Sequence, residues 1–267
     1  MLGEMYTPSG LALETARAVL EVNNPHAVNV ALGCPNECSY CYGPLASRQG
    51  REKYHTILRH PKYPPSVLVR NQLAKGLDVE GVMASFLTDP YLPQLRDETE
   101  RLVNFLMNQQ EYVDRDIMTA TLSKIGVSIY SWNRNGMTIV SPYNDFTAQY
   151  EPGVPSPDER IKILEKECYN EGEFCWVSME PFPVDAIFPY KMKDILEFWG
   201  KLNFVDFIIF GKWNYDKRAS TEEAAMEYAT ILIGFEQFCK DYGIRYHIKS
   251  DTLKFVGRSP ALKETPK

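Results

Sequence analysis

The sequence predicts an α/β fold, a parallel sheet curved into a partial (β/α)6-type TIM barrel. Three observations carry the prediction. Short, often β-branched apolar runs recur along the chain and suit strands buried on both faces. Amphipathic helical segments separate them, so strand and helix alternate about six times. Each run ends in polar or reactive residues, as expected where strand ends converge on one barrel mouth. At 267 residues the chain is near the low end for eight such units, so about six are expected.

The first strand is expected at Val28–Leu32, followed by Cys34-Pro-Asn-Glu-Cys38-Ser-Tyr-Cys41. The second, Gly81–Phe86, leads into Thr88-Asp-Pro-Tyr91, and a helix at 98–110 places Leu102, Phe105 and Leu106 on one face. The third, Asp116–Thr121, ends at Ser123-Lys124, and the fourth, Met137–Val140, ends at Ser141-Pro-Tyr143-Asn144. Ser156-Pro-Asp-Glu159 reads as a capping box with Pro at the first helical position, opening a helix towards Tyr169. The fifth strand, Cys175–Met179, runs into Glu180-Pro181. Met192, Ile195, Leu196 and Trp199 recur at helical spacing, with Gly200 as a stop. The sixth strand, Phe204–Phe210, ends at Lys212-Trp-Asn214. A second capping box at Ser220–Glu223 opens a long helix that stops before Gly243, and Ile244–Ile248 is a last strand.

Composition excludes several classes. Apolar residues make up 44% and charged residues 24%, which rules out a disordered chain, a coiled coil and a collagen. The net charge of -6 gives no global attraction for phosphate backbones, although a local basic groove is compatible with it. No run approaches the ~20 apolar residues of a membrane span, and Glu4, Glu14 and Arg17 interrupt any signal-peptide core. A cytoplasmic protein is expected, with one partial-barrel domain over 1–257 and a loose tail over 258–267. A chain with so large a core needs no disulfide staples, so Cys168, Cys175 and Cys239 are expected to pack as core residues.

The remaining three of the six cysteines, Cys34, Cys38 and Cys41, form a C-x3-C-x2-C pattern. Thiolates this close can converge on one metal centre. Zinc would need a distant fourth ligand, whereas an iron–sulfur cluster with three cysteine ligands keeps one iron open. The pattern, with Tyr40 before the last cysteine, resembles the signature of the radical SAM superfamily. The resemblance implies a [4Fe–4S] cluster on Cys34, Cys38 and Cys41 that binds S-adenosyl-L-methionine (AdoMet) at its open iron. It further implies reductive cleavage to methionine and a 5′-deoxyadenosyl radical, which abstracts hydrogen from a substrate. Tyr40 would lie near the adenine, and a flavodoxin or ferredoxin would supply the electron.

A narrower resemblance, to the spore photoproduct lyase-like group, rests on three further stretches. These are Ile57–Leu77, with Val67-Leu-Val-Arg-Asn71; Thr88-Asp-Pro-Tyr91 with Leu122-Ser-Lys124; and Tyr150-Glu-Pro-Gly-Val-Pro-Ser-Pro-Asp-Glu-Arg160. It implies that Thr88 and Asp89 meet the methionine amino group of AdoMet and that Ser123 and Lys124 meet its carboxylate or ribose. A carboxylate suits an ammonium partner, although Asp89-Pro90 also suits a plain turn and Lys124 a solvated charge. Glu180 stands at the mouth as a candidate catalytic or binding residue, with a salt bridge to Lys212 as the structural alternative. Tyr143 is a candidate relay for a hydrogen atom or an electron, or a turn residue.

The departures concern the substrate. Spore photoproduct lyase carries a hydrogen-donating cysteine just ahead of the Ser/Thr-Asp motif, where this chain has Phe86-Leu87. A phenyl ring cannot return a hydrogen atom, so thymine-dimer repair by that route is not expected. Ile129-Tyr-Ser-Trp-Asn133 and Ser178-Met-Glu-Pro181 also depart from the group and suggest an altered substrate. Arg48, Arg51, Lys53, Arg59 and Lys62 alternate with Tyr54, His55, His60 and Tyr63, a pattern that suits a strand-binding groove as well as a solvated loop. Lys249, Lys254, Arg258, Lys263 and Lys267 make a second basic patch. A modified or damaged nucleic acid is the first expected substrate class, and a small metabolite or peptide the second. The non-enzymatic alternative is a zinc or iron–sulfur scaffold.

Overall fold

The computed structural model describes residues 2–109, 116–130, 132–168 and 173–257; the tail over 258–267 and the helix end at Tyr169 lie outside them. Eight strands form one sheet in chain order. They are β1 (Met5–Tyr6), β2 (His26–Val28), β3 (Gly81–Ala84), β4 (Met118–Ser123), β5 (Asn133–Thr138), β6 (Cys175–Phe182), β7 (Phe207–Lys212) and β8 (Arg245–Ile248). β1 pairs antiparallel with β2, and every later pair is parallel. β8 does not return to β1 among the described residues, so the sheet is an open, partial barrel. The parallel count is seven rather than about six, and the antiparallel edge strand was not expected. Its outer edge is finished by Gln72, whose side chain accepts from the Met5 N–H at 2.8 Å and donates to the Met5 carbonyl at 3.1 Å.

Ten α-helices accompany the strands among the described residues: α1 (Gly10–Leu20), α2 (Gly43–Ala46), α3 (Arg51–Tyr54), α4 (Pro65–Leu73), α5 (Arg96–Met107), α6 (Asn144–Tyr150), α7 (Pro157–Cys168), α8 (Met192–Gly200), α9 (Glu222–Tyr242) and α10 (Ser250–Val256). Val82, Ala84, Val177, Ile208 and Phe210 pack outwards in the clusters that hold the buried residues of α4, α5, α8 and α9. The intervening strand residues Met83, Ala120, Trp176 and Ile209 pack instead with Ala16, Val19 and Leu20 of α1. Side chains alternate between faces along a strand, so α1 lies on the concave face. Glu21 at its end pairs with Arg134 of β5 at 2.9 Å and with Arg245 of β8. Lys249, just past β8, donates to the Leu11 carbonyl at 2.6 Å near its start. The helix therefore runs along that face from the C-terminal end of β8, at its start, to the N-terminal ends of β5 and β8, at its end.

Several boundaries differ from the sequence reading, each for a local reason. β2 ends at Val28, because Asn29 turns its amide to Ser85, Phe86 and Leu87 at 3.0–3.1 Å. β5 begins at Asn133 rather than Met137. Asn133 and Asn135 are buried but bond to each other at 2.7 Å, and Asn133 bonds to Thr121 at 2.8 Å. Gly136 leaves space that the Trp176 ring fills. The Ser156–Glu159 box forms, with the Ser156 N–H and hydroxyl donating to Glu159 at 2.8 and 2.6 Å. The second box is displaced by one residue: a 3₁₀ turn takes Lys217–Ser220, and Thr221 caps α9 by accepting from the Ala224 N–H.

Cys239 is buried in the core as expected. Cys168 and Cys175 are joined in a disulfide, which corrects their reading as unlinked core residues. The end of α7 and the start of β6 bring their Cα atoms to 5.8 Å, within bridging range. Where thiols are kept reduced, the same geometry leaves two adjacent thiols. No helix among the described residues is long and apolar enough to cross a membrane.

Candidate functional site

The cysteine loop leaves the C-terminal side of β2 and is folded by its own backbone. Gly33 takes φ +91, and a Cβ there would collide with the Thr56 and Tyr54 carbonyls, so only glycine fits. The Cys34 N–H donates to the Tyr54 carbonyl at 2.7 Å, and the Cys41 N–H to the Cys38 carbonyl at 3.1 Å. Cys34, Cys38 and Cys41 are all free thiols, with Cys38 buried and the others half-buried. Burial pushes the Cys34 thiol up and the Cys38 thiol up to about 12, with Lys124 opposing the shift at Cys38. Among the described residues no group of three or more His, Cys, Asp or Glu side chains is gathered closely enough to hold a metal ion. The three cysteines share one loop, and Cys38 lies within electrostatic reach of both others.

Asp89 joins this loop to two strand ends. It is buried and accepts from the Ser123 hydroxyl at 2.6 Å, the Lys124 N–H at 2.7 Å, the Tyr91 N–H at 3.0 Å and the Asn36 amide at 3.4 Å. Burial still raises its pKa above the usual carboxylate value, against those hydrogen bonds. Thr88 donates its hydroxyl to the Gly33 carbonyl at 2.6 Å. Ser123 in turn accepts from the Ile125 and Gly126 N–H groups at 2.9 and 3.2 Å. Thr88, Asp89 and Ser123 are thus brought together with the cysteine loop, and their polar atoms are engaged by protein partners.

Lys124 and Tyr40 form the next layer. The Lys124 ammonium lies 5.2 Å from the Tyr40 ring centroid, a cation–π arrangement, and 3.9 Å from Glu151. Its side chain is 17% exposed, so it is not the solvated surface charge offered as the alternative. Burial works against its charge, but Cys38 and Glu151 outweigh burial and hold its pKa above the usual lysine value. Tyr40 donates its hydroxyl to Glu151 and packs edge-on against Trp213 at 5.1 Å.

Glu180 sits on the concave side of the β6 end, its Cγ lodged against Gly211, where a Cβ would approach to 2.7 Å. Its ion-pair partner is Lys249 at 3.6 Å rather than Lys212. Lys212 donates instead to Asn214, because its side chain follows the outward face towards Phe255. Burial raises the Glu180 pKa, with Lys249 opposing. Glu180 lies near the C-terminal end of β6, the same end of the parallel strands at which the cysteine loop leaves β2. Tyr143 is engaged elsewhere: its hydroxyl donates to Asp194 at 2.8 Å and accepts from the Lys191 N–H at 3.0 Å.

The basic segment divides. Arg51 donates to the Cys38 and Ser39 carbonyls, and Arg59 pairs with Glu98 at 3.7 Å. Arg48, Lys53 and Lys62 are exposed and form no side-chain ion pair among the described residues. Exposed Leu45, Leu58 and Tyr63 lie in the same segment, and His60 stacks on Tyr63 at 6.0 Å. Sequence reasoning gave no role to Asn29, Asn36, Glu151 or Arg160. For Glu151 and Arg160 a signal was present, since both lie in the Tyr150–Arg160 stretch that carries the resemblance.

No family model and no curated protein matches the chain. Among solved structures its fold is similar to spore photoproduct lyase complexed with dinucleoside spore photoproduct, at 12% identity and TM-score 0.60, covering 84% of this chain and 76% of that one. It is similar to a doubly substituted variant of that lyase with bound AdoMet and dinucleoside spore photoproduct, at 13% identity and TM-score 0.59, over 84% and 76%. What they share is the fold, an open partial barrel of mostly parallel strands with helices packed on it.

Proposed function

We propose that the chain is a radical SAM enzyme whose substrate is a modified or damaged nucleic acid. The observation that carries the reading is the loop of three free thiols at the mouth of this partial barrel, with Lys124 and Tyr40 beside it. Three thiols on one loop suit a [4Fe–4S] cluster with one open iron, and the Lys124 cation favours the thiolate form of Cys38 and Cys34. When bound, the cluster and AdoMet supply a carbon radical able to remove hydrogen from a substrate.

The chain's own residues perform the rest. Cys34, Cys38 and Cys41 would hold the cluster, with the loop drawing together three thiols that are free and not yet gathered around one point. Asp89, with Thr88 and Ser123, fixes the loop against β3 and β4, so its role is to position the site rather than to offer a free carboxylate. Lys124 retains donors for the methionine carboxylate, and Tyr40 presents its ring to the adenine. Glu180 faces the substrate side, where it accepts an N–H or O–H from the bound molecule. The packed rings of Tyr40, Phe146, Tyr150 and Trp213 under the loop exclude water from it.

Arg48, Lys53 and Lys62 stand ready for phosphates, with Tyr63 available for stacking. Phe86-Leu87 leaves no thiol donor on the β3 side, so the product differs from that of a lyase using one. A flavodoxin or ferredoxin is the proposed electron source. The test is release of 5′-deoxyadenosine from AdoMet by anaerobically reconstituted, reduced protein. Release that depends on Cys38 supports the reading, and a cluster that cleaves no AdoMet refutes it.

A further inference from the structure

Glu151 has no part in the chemistry above, yet it is fully buried beside the cysteine loop. One oxygen accepts from Arg160 at 2.6 Å; the other accepts from the Tyr40 hydroxyl and faces the Lys124 ammonium at 3.9 Å. Arg160 is itself fixed, donating to the Thr138 carbonyl at the end of β5 at 2.8 Å and to Thr147 at 3.2 Å. The same stretch clasps the cysteine loop through its backbone. The Ser39 N–H donates to the Tyr150 carbonyl at 2.9 Å, and the Gly153 N–H to the Asn36 carbonyl at 3.2 Å. Gly153 must lack a side chain there, because a Cβ would lie 2.7 Å from Asn36 Cα.

The charge arrangement gives this contact a direction. Arg160 and Lys124 are two cations on opposite sides of one carboxylate. Arg160 makes the close pair, and Lys124 stands at a longer distance with donors to spare. Without Glu151 the two cations would repel across a buried gap, and Tyr40 would lose the acceptor that orients its ring. We infer that Glu151, locked by Arg160, is a positioning residue that presets Tyr40 and Lys124 as a pair for a ligand carrying both a carboxylate and an adenine. The inference rests on the proposed AdoMet site.

The test compares dissociation constants of AdoMet and its decarboxylated analogue on reconstituted protein, with iron content measured in parallel. Wild type should prefer AdoMet. Lys124→Met should abolish the preference. Glu151→Gln should weaken AdoMet roughly tenfold, the size of one charge-assisted hydrogen bond, and weaken the analogue less, through Tyr40 alone, while leaving iron content unchanged. Preference retained in Lys124→Met overturns the carboxylate role of Lys124 and the inference with it. Preference lost in Lys124→Met but retained in Glu151→Gln overturns the inference alone. Should Glu151→Gln fail to fold because Arg160 is left as an unpaired buried charge, Glu151→Gln with Arg160→Met removes both charges together and is read by the same criteria.

Discussion

Ser123 donates its hydroxyl to Asp89 across 2.6 Å, joining the end of β4 to the β3 loop in a space closed to solvent. With the Lys124, Tyr91 and Asn36 donors, the contact converts a carboxylate that looks like a ligand group in the sequence into a structural hub. Asp89→Asn keeps the shape but sets an NH2 against one of those donors. The expected loss is about 1–3 kcal/mol, the penalty of an unsatisfied buried group, together with weaker iron retention. Urea unfolding and iron analysis check both. Wild-type stability with full iron content would show that the hub is dispensable.

The exposed basic residues make a separable prediction. Each phosphate neutralised on a single strand contributes about −0.7 to the slope of log affinity against log salt. Replacing Arg48, Lys53 and Lys62 by Gln should therefore flatten that slope by about 2 for a single-stranded oligonucleotide. Arg51→Gln should instead loosen the cysteine loop, because its guanidinium holds the Cys38 and Ser39 carbonyls. Fluorescence anisotropy across a salt series measures the first effect. An unchanged slope, or no binding by wild type, removes nucleic acid from the account.

Acid should detach α1 from the end of β8. Glu14 accepts from the Ser250 N–H and hydroxyl, both at 2.7 Å, and contacts His247 at 2.7 Å. Burial alone would raise its pKa, but the Ser250 and His247 hydrogen bonds outweigh burial and hold it below the ordinary glutamate value. A depressed folded pKa means that the stabilisation is present above the unfolded pKa and is lost as pH falls through the folded one. The Tm gap between wild type and Glu14→Gln should therefore be full above about pH 5 and close on further acidification. A gap independent of pH would show that the carboxylate's charge contributes nothing.

How far the sequence carried the structure depended on whether a signal was local. Apolar runs mark β3, β6 and β7 because a strand buried on both faces must be apolar. The start of β5 was hidden: Asn133-Arg-Asn135 reads as polar, and only tertiary partners at Thr121, Ser128 and Glu21 make those residues compatible with burial. The three cysteines were legible as a loop because their chemistry depends on spacing. The Lys249 partner of Glu180 was not, since β6 and β8 meet it only after the sheet and α1 assemble. The 168–175 disulfide was missed because pairing depends on Cα separation, which spacing alone does not give.

The most direct measurement is electron paramagnetic resonance of the anaerobically reconstituted, reduced protein, recorded with and without AdoMet. The account predicts a [4Fe–4S] signal that AdoMet perturbs, and its loss in Cys34→Ala, Cys38→Ala and Cys41→Ala alike. A cluster spectrum indifferent to AdoMet, or zinc in place of iron, would contradict it and leave a metal-binding scaffold as the better description.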